Sequence, residues 1–371
     1  MSDCFKKSFK TAALGLLICM LAPVLSGCTV KEKMNSSTVF AMDTVMQLSI
    51  EGDDKLLLQA EHEIRNIEDS LSVTKEDSEI GRLNSSKEAV LSERSSEILK
   101  QALDICDMTD GSLDVTIYPV LKAWGFTTGE YRVPGDDELE ELLANVDYKK
   151  IEIAEAGGAG EGSGGAADGD GGPTCKVKIQ DGMQVDLGSV VKGYTGSYLA
   201  NFFKENGVKS GLINLGGNVE CIGAKSDGKP WKVAIKSPFP DSKSKILGVL
   251  DAKDVSVITS GGYERFFEQG GEVYWHILDP KDGKPAKNGL ASVTVVGNNG
   301  IVGDGLSTAL FVKGTEGAKA FISERGKELT EKYGFGAVLV TEDKKVYITA
   351  NIASQFSLSS EYSGAEIIVL D

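Results

Sequence analysis

The chain has 371 residues and a formal net charge of −16, and 41% of its residues are hydrophobic. A chain of this length can bury a large core, as one large domain or two closely packed ones. The charge argues against a nucleic-acid-binding protein, because no basic stripe is present to neutralise phosphates. A polyanionic ligand would need a metal ion to offset the repulsion locally.

The N-terminus is typical of a lipoprotein signal peptide, which we place at residues 1–27. A lysine-containing start precedes an apolar run that ends in LSGC, at Cys28. Small residues before a cysteine resemble the bacterial lipobox, in which the chain is cut before the cysteine and the thiol is acylated. The alternative is an ordinary secretory signal with an incidental cysteine. We expect a lipid anchor on Cys28, a tether over residues 28–37 and a domain over residues 38–371, on the extracytoplasmic side of the cell membrane.

The first predicted elements are one strand and three helices. Alternating apolar and polar residues in FAMDTVMQLSIEG indicate a strand. Apolar residues at helical spacing predict a helix in DDKLLLQAEHEIRNIEDSLS. A second helix is predicted in SERSSEILKQALDICDMTDG, with Ser92 as its N-cap and Gly111 as its stop, and a third in DDELEELLANVD.

A glycine-rich insertion separates two further strands, KKIEIAEA and KVKIQDGMQVDLGS. Residues 157–172 are almost entirely glycine, alanine and acidic residues, so we expect a disordered insertion in a hairpin. The stretch does not fit a phosphate-binding loop, because no strand leads directly into it and no helix follows.

The C-terminal half alternates between strands and a few helices. SVVKGYTGSYLANFFKENG is a predicted helix, and several short strands follow it. Two more helical stretches, DGLSTALFVKG and EGAKAFISERG, come before the final strands. Runs of strands between helices, without strict alternation, predict an α+β fold with largely antiparallel sheets and flanking helices.

His276 is one of only two histidines, and it follows the strand-like run VYW. Its unperturbed pKa of ~6.5 would let it accept a proton from a hydroxyl at neutral pH. The structural alternative is a half-buried histidine that is hydrogen-bonded to Asp279 or to a backbone carbonyl.

Two segments carry polar side chains in patterns that suit an anion or a cation. In GDGLST, Asp304, Ser307 and Thr308 would share one face of a helix's first turn and could bind a hard cation such as Mg²⁺. In VDLGSVVKG, Asp186 and Lys192 flank a turn that could cradle an anion. The alternatives are a plain N-cap for the first segment and ordinary loop chemistry for the second.

The stretch KAWGF places two aromatic residues around Gly125. Trp124 and Phe126 could stack on a flat ring or simply fill a core, and these residues alone leave both possibilities open.

Taken in order, these motifs resemble one family. AMDT, DSEIGRLN, GSLDVTIYPVLKAWGF, VDLGSVVKGY, INLGGNVECIG, TSGGYERFF, HILDPKDGKPA and GDGLSTALFVKG together resemble the ApbE family of FAD:protein FMN transferases. The resemblance spans roughly residues 38–350. It implies a T-fold-related architecture and a Mg²⁺-dependent reaction. In that reaction FMN passes from FAD to a threonine hydroxyl of a target protein as a phosphoester, and AMP is released. Typical targets are exported subunits of Rnf- or Nqr-type redox complexes.

The resemblance also implies roles for individual residues. His276 matches the histidine that assists proton removal. The implied metal ligands are Ser189, Asp304, Ser307 and Thr308. The implied FAD-site residues are Met42, Thr74, Trp124, Gly125, Phe126, Asp186, Lys192 and Ile277. Thr74 stands where many members carry a tyrosine, and Asp43 replaces the glycine of the commoner M-G-T motif.

Two other functions use the same residues. A FAD pyrophosphatase would release FMN to water, and a lipid-anchored flavin-binding protein would hold FAD without turnover. Covalent flavin on a target protein distinguishes the transferase from both.

Overall fold

The computed structural model of the chain describes residues 33–156 and 174–371. The predicted signal peptide, Cys28 and residues 157–172 lie outside the described residues. The strands are β1 (Met34–Ala41), β2 (Thr44–Glu51), β3 (Glu88–Leu91), β4 (Glu152–Glu155), β5 (Cys175–Lys178), β6 (Ser210–Leu215), β7 (Asn218–Gly223), β8 (Trp231–Lys236), β9 (Ile246–Ala252), β10 (Ser256–Gly261), β11 (Phe266–Gln269), β12 (Glu272–Trp275), β13 (Leu290–Gly297), β14 (Gly336–Thr341), β15 (Val346–Thr349), β16 (Phe356–Leu358) and β17 (Ile367–Leu370). The helices are α1 (Lys55–Leu71), α2 (Glu79–Ser86), α3 (Glu93–Met108), α4 (Tyr118–Trp124), α5 (Asp136–Leu143), α6 (Val191–Glu205), α7 (Gly300–Tyr333) and α8 (Ala350–Ala353).

One large sheet organises the fold. Its order is β1-β2-β6-β7-β10-β13-β14-β15-β17, and every neighbouring pair is antiparallel except β15 and β17. Smaller sheets have the orders β3-β5-β4 and β16-β9-β8, and β11 and β12 form a separate hairpin. The predicted α+β class with largely antiparallel sheets is therefore confirmed.

Helices α1, α6 and α7 pack against the large sheet through buried apolar residues. The apolar positions of α1 that the sequence predicts to share a face are all buried. Helix α7 packs on β10 and β13, and α6 packs on β7 and α7. Ser92 caps α3 as predicted, since its hydroxyl accepts a hydrogen bond from Ser95 N.

Helix α7 begins earlier than the sequence suggested. Asn299 is its N-cap and its side chain accepts from Val302 N, so Asp304 lies in the second turn and not in the first. The predicted boundary between two helical stretches is confirmed, because Gly314 has the non-helical angles φ 69° and ψ −175° and kinks the run.

The predicted tether is too long at its C-terminal end. Residues 34–37 belong to β1, which pairs with β2 over its whole length. This stretch has the polar composition of a linker, but it forms an edge strand that keeps one face in solvent. Asn35 Nδ2 also donates to Gly52 O at 2.8 Å, which fixes the start of the strand.

The hairpin predicted around the glycine-rich insertion is confirmed by its flanks, because β4 and β5 pair antiparallel. Across residues 33–156 and 174–371, no helix combines the length and the apolar composition needed to cross a membrane.

Candidate active site

A cavity of about 520 Å³ gathers most of the predicted site residues. Turns and helix ends from distant parts of the chain line it, including the β1–β2 and β6–β7 turns and the start of α6. The predicted residues that line it are Met42, Phe126, Asp186, Ser189, Lys192, His276, Ile277, Asp304 and Thr308. Its volume lies within the range of ordinary small-molecule sites.

The β1–β2 turn forms one wall of the cavity. Met42 and Asp43 adopt positive φ angles of 49° and 57°, which a tight two-residue hairpin requires. Aspartate tolerates this left-handed conformation better than most residues, so Asp43 can stand where glycine is commoner. Glu68 Oε1 accepts from Met42 N at 2.7 Å and ties the turn to α1.

Asp304 is held at the crossing of α6 and α7. A Cβ on Gly193 would meet Gly300 O at 2.1 Å, so the two helix backbones touch there. Gly193 N, which lies in the first turn of α6 and lacks an intrahelical acceptor, donates to Asp304 Oδ2 at 2.8 Å. Burial raises the pKa of Asp304, against the opposing effects of Lys192, Asn218 and this hydrogen bond. A cation would therefore stabilise the ionised carboxylate.

A cluster of hydroxyls lies beside Asp304. Ser260 Oγ is 2.7 Å from Ser307 Oγ and 3.3 Å from Thr308 Oγ1. Thr308 lines the cavity, whereas Ser307, which the resemblance places at the metal, does not. Ser307 is fully buried, and its hydroxyl donates to Asp304 O at 2.9 Å. The two side chains point in different directions because consecutive helical positions are rotated by about 100°.

The donor atoms are of the kind that binds a hard cation, and a bound ligand would have to complete its coordination. The residues offered are Asp304, Thr308 and Ser189, which are all oxygen donors of the kind that Mg²⁺ prefers. Within the described residues, no group of three or more His, Cys, Asp or Glu side chains could hold a metal alone. Asn218 Nδ2 is also buried next to Asp304 without a hydrogen-bond partner of ordinary geometry, which is typical of a site awaiting a polar ligand.

His276 follows β12 at the edge of the cavity. Arg265 O accepts from His276 N at 3.1 Å and lies 3.3 Å from Nδ1. A carbonyl oxygen can only accept, so this contact favours the tautomer with the proton on Nδ1 and leaves Nε2 with a free lone pair. The cavity walls desolvate the half-buried ring, and the charges of Arg265 and Lys192 add to this, lowering the pKa of His276 to about 3. The imidazole is therefore neutral at pH 7.

Three cations and several acids share the cavity. Lys192, Lys236 and Arg265 line it together with Asp186 and Glu264. Desolvation raises the pKa of both carboxyls, although Asp186 is half-buried and Glu264 is exposed. The cations can meet the phosphates of a dinucleotide, which a protein of net charge −16 does not otherwise favour.

Trp124 and Gly125 do not line the cavity, although the resemblance places both at the FAD site. Trp124 is buried among Val120, Leu139 and other apolar residues, and its Nε1 donates to Gly283 O at 2.8 Å. Gly125 has φ 84° and ends α4 in the left-handed conformation, where a Cβ would meet Glu130 O at 2.2 Å. Of the WGF motif, only Phe126 reaches the site.

We expect Trp124→Ala to destabilise the fold by about 3–5 kcal/mol, because it leaves a large cavity and a buried carbonyl without its donor. Urea unfolding measures this. Trp124→Phe should lose less stability, since it keeps most of the packing. A Trp124→Phe protein of wild-type stability that has lost FAD affinity would contradict this assignment.

Thr74 also lies away from the cavity. It is exposed in the loop after α1, and its hydroxyl contacts Ser72 Oγ at 3.0 Å. The motif match that places Thr74 at the FAD site crosses a loop, and loops vary most in sequence and length.

Sequence reasoning missed several lining residues, notably Asn218, Glu264 and Arg265. Asn218 follows the Gly216–Gly217 pair, and Glu264 and Arg265 follow the Gly261–Gly262 pair. The signal was present, because glycine pairs at strand ends mark close backbone approach. A glycine pair does not indicate, however, which of the neighbouring side chains lines a site.

Comparisons with known proteins agree with the motifs. The ApbE family model matches residues 42–330. A FAD:protein FMN transferase of Vibrio cholerae is 30% identical over 285 residues, covering 75% of this chain and 79% of that protein. One from Klebsiella pneumoniae is 30% identical over 315 residues, covering 84% and 90%. The solved ApbE protein of Thermotoga maritima has a TM-score of 0.72 at 25% identity, covering 90% of this chain and 99% of that one.

Proposed function

Because this chain belongs to the ApbE family, we propose that it transfers FMN from FAD to a threonine hydroxyl of a target protein and releases AMP. One observation carries the proposal. A single cavity places a neutral imidazole with a free Nε2, three cations and the Asp304 oxygen cluster around the same space. This set can bind a diphosphate and accept a proton from an attacking alcohol.

Lys192, Lys236 and Arg265 would hold the diphosphate of FAD, and Phe126 and Ile277 would contact its uncharged parts. Asp304, Thr308 and Ser189 would hold Mg²⁺. When bound, the ion would supply charge neutralisation at the phosphate oxygens.

The proton and bond changes balance with the residues present. His276 Nε2 accepts the threonine proton while the threonine oxygen forms a bond to the phosphorus of the FMN half. The bond from that phosphorus to the bridging oxygen breaks, and the bridging oxygen leaves with AMP and its electron pair. The contact between Nδ1 and Arg265 O orients the ring for this transfer.

Binding of FAD should also strengthen His276 as a base. Desolvation and the charges of Arg265 and Lys192 lower the pKa of the free imidazole, and two phosphate charges beside these cations would offset the electrostatic part. The ring would then accept a proton more readily when substrate is present.

An NMR titration of the free protein tests the environment of His276. We expect its imidazole to stay neutral far below pH 6, with a pKa of about 3. The unfolded chain takes up this proton near pH ~6.5, so the contribution of His276 to stability is complete above that pH and is lost as the pH falls toward 3. Since there are only two histidines, His62→Gln assigns the signals. A His276 signal that titrates near its unperturbed value would contradict the desolvated geometry.

For partners and location, we propose an exported flavoprotein acceptor of the Rnf or Nqr type and a membrane anchor through lipid on Cys28. Support for the anchor comes from the N-terminal sequence alone. We expect the wild-type protein in the membrane fraction of the cell and the Cys28→Ala variant outside it.

In-gel flavin fluorescence tests the proposed reaction. The purified apo-acceptor is incubated with enzyme, FAD and Mg²⁺, then denatured and resolved. A fluorescent acceptor band supports transfer. Free FMN with an unlabelled acceptor indicates hydrolysis, and bound FAD without AMP indicates a binding protein, so either result would overturn the proposal.

A further inference from the structure

A strip of aromatic rings leads from His276 to the protein surface. The strip consists of Phe126, Phe267 and Tyr131. The ring of Phe126 lies edge-on to His276, with centroids 6.3 Å apart, and its centroid is 5.8 Å from that of Tyr131. Tyr131 stacks on Phe267 at 5.1 Å and 21°. Tyr131 is 48% exposed, so one of its faces remains available to a further side chain.

The strip lies on the same face of the β11–β12 hairpin as the reacting groups. Arg265 and His276 face each other at the base of the hairpin, and Phe267 pairs with Tyr274 two positions further along. Side chains two residues apart in a strand point to the same side. Phe126 lines the cavity, whereas Phe267 and Tyr131 do not, so the strip begins in the cavity and continues beyond its rim.

The backbone around the strip is fixed before any partner binds. Arg265 Nη2 donates to Phe126 O at 2.6 Å, which joins the hairpin to the loop that carries Tyr131. Within that loop, Gly129 N donates to Gly125 O at 2.9 Å and Arg132 N donates to Trp124 O at 3.3 Å. A surface that is already ordered costs less conformational entropy on binding.

We propose that the part of this aromatic strip beyond the cavity rim, Tyr131 and Phe267, is the docking surface for the acceptor polypeptide. The inference rests on the proposed function, which requires a protein hydroxyl to reach His276 Nε2 from solvent. The chain segment that carries this hydroxyl must therefore pass over the rim next to His276. The rim offers aromatic rings at this point, and exposed aromatic residues are enriched among residues that dominate binding energy.

The geometry sets where the contact falls in the acceptor. The centroid distances from His276 to Phe126 and from Phe126 to Tyr131 place the Tyr131 ring at most about 12 Å from the His276 ring. An extended chain advances about 3.3 Å per residue, so the contacting side chain lies about three to four residues from the modified threonine. It should be apolar or aromatic, because the exposed face that it covers is a tyrosine ring.

The opposite face of the same hairpin provides a matched control. Phe266 is 47% exposed, nearly as much as Tyr131, but it pairs with Trp275 on the face turned away from His276. An acceptor bound to the strip would not contact Phe266, because Phe266 lies on the opposite face of the hairpin. A change at Phe266 tests the general effect of placing a charge on this hairpin.

The experiment compares Tyr131→Asp, Tyr131→Phe and Phe266→Asp in steady-state transfer to an Rnf- or Nqr-type apo-acceptor, together with FAD affinity from flavin fluorescence. We expect Tyr131→Asp to raise the KM for the acceptor by about 10-fold or more at unchanged FAD affinity. Tyr131→Phe and Phe266→Asp should stay within about twofold of wild type, since ring and strip are retained. Circular dichroism confirms that each variant is folded.

Three results would overturn the docking surface. If Tyr131→Asp has the wild-type KM for the acceptor, the strip is not the docking surface. If Phe266→Asp raises this KM equally, the effect comes from placing a charge anywhere on the hairpin. Weaker FAD binding in Tyr131→Asp would reassign the strip to the flavin. Failure of the proposed function is distinguishable, because the wild-type enzyme itself would then leave the acceptor unlabelled, and the docking surface would fall with it.

Discussion

Replacing His276 with alanine is expected to lower the rate of flavin transfer by about 10²–10⁴-fold while FAD still binds. The expectation follows from the geometry at the cavity edge, where the contact of Nδ1 with Arg265 O leaves Nε2 as the proton acceptor. Removing the ring removes the base but none of the cations that would hold the diphosphate. The loss should therefore appear in kcat, with FAD affinity changed little.

His62→Ala is the matched control, because it deletes the only other histidine, which is exposed on α1. Single-turnover transfer and flavin fluorescence separate chemistry from binding. Equal transfer rates in His276→Ala and wild type would return His276 to a structural role in the hairpin.

Replacing Asp304 with asparagine is expected to weaken Mg²⁺-dependent turnover by at least about 100-fold at limiting metal. Removing an outer-sphere partner of a metal already costs 10–100-fold, and Asp304 would contact the ion directly. Asparagine keeps the size of the side chain, so the α6–α7 crossing around Gly193 should survive. Because burial raises the pKa of Asp304, protons should also compete with Mg²⁺, and the apparent metal affinity of the wild type should fall as pH falls.

Asp137→Asn on α5 is the matched control, since this aspartate is exposed and lies outside the cavity. Turnover is measured against Mg²⁺ concentration at two pH values. Superimposable metal titrations for Asp304→Asn and wild type would show that the ion, if required, binds elsewhere.

The secondary-structure elements that the sequence predicts correctly are those that depend on interactions between residues close in sequence. Helix α1 and the Ser92 cap were predictable because helical spacing and N-cap hydrogen bonds involve residues close in sequence. The break at Gly314 was predictable for the same reason. The start of α7 was missed by one turn, because Asn299 and Asp304 are both good caps in sequence and only packing against α6 decides between them.

The site was harder to predict because it depends on long-range packing. The same WGF motif contributes one residue to the cavity, one to the core and one to a helix cap. Sequence periodicity does not show which of the three residues faces the cavity, because this depends on where α4 lies against the β11–β12 hairpin. The same holds for Ser307 and Thr308. Both carry hydroxyls, and only the orientation of α7 determines which of the two lines the cavity.

Mass spectrometry of a purified apo-acceptor after incubation with enzyme, FAD and Mg²⁺ tests the central claim most directly. The account predicts a threonine that gains the mass of FMN less one water, one AMP for each modified acceptor, and loss of both products with a chelator. An unmodified acceptor beside free FMN and AMP, or full modification in the presence of the chelator, would contradict it.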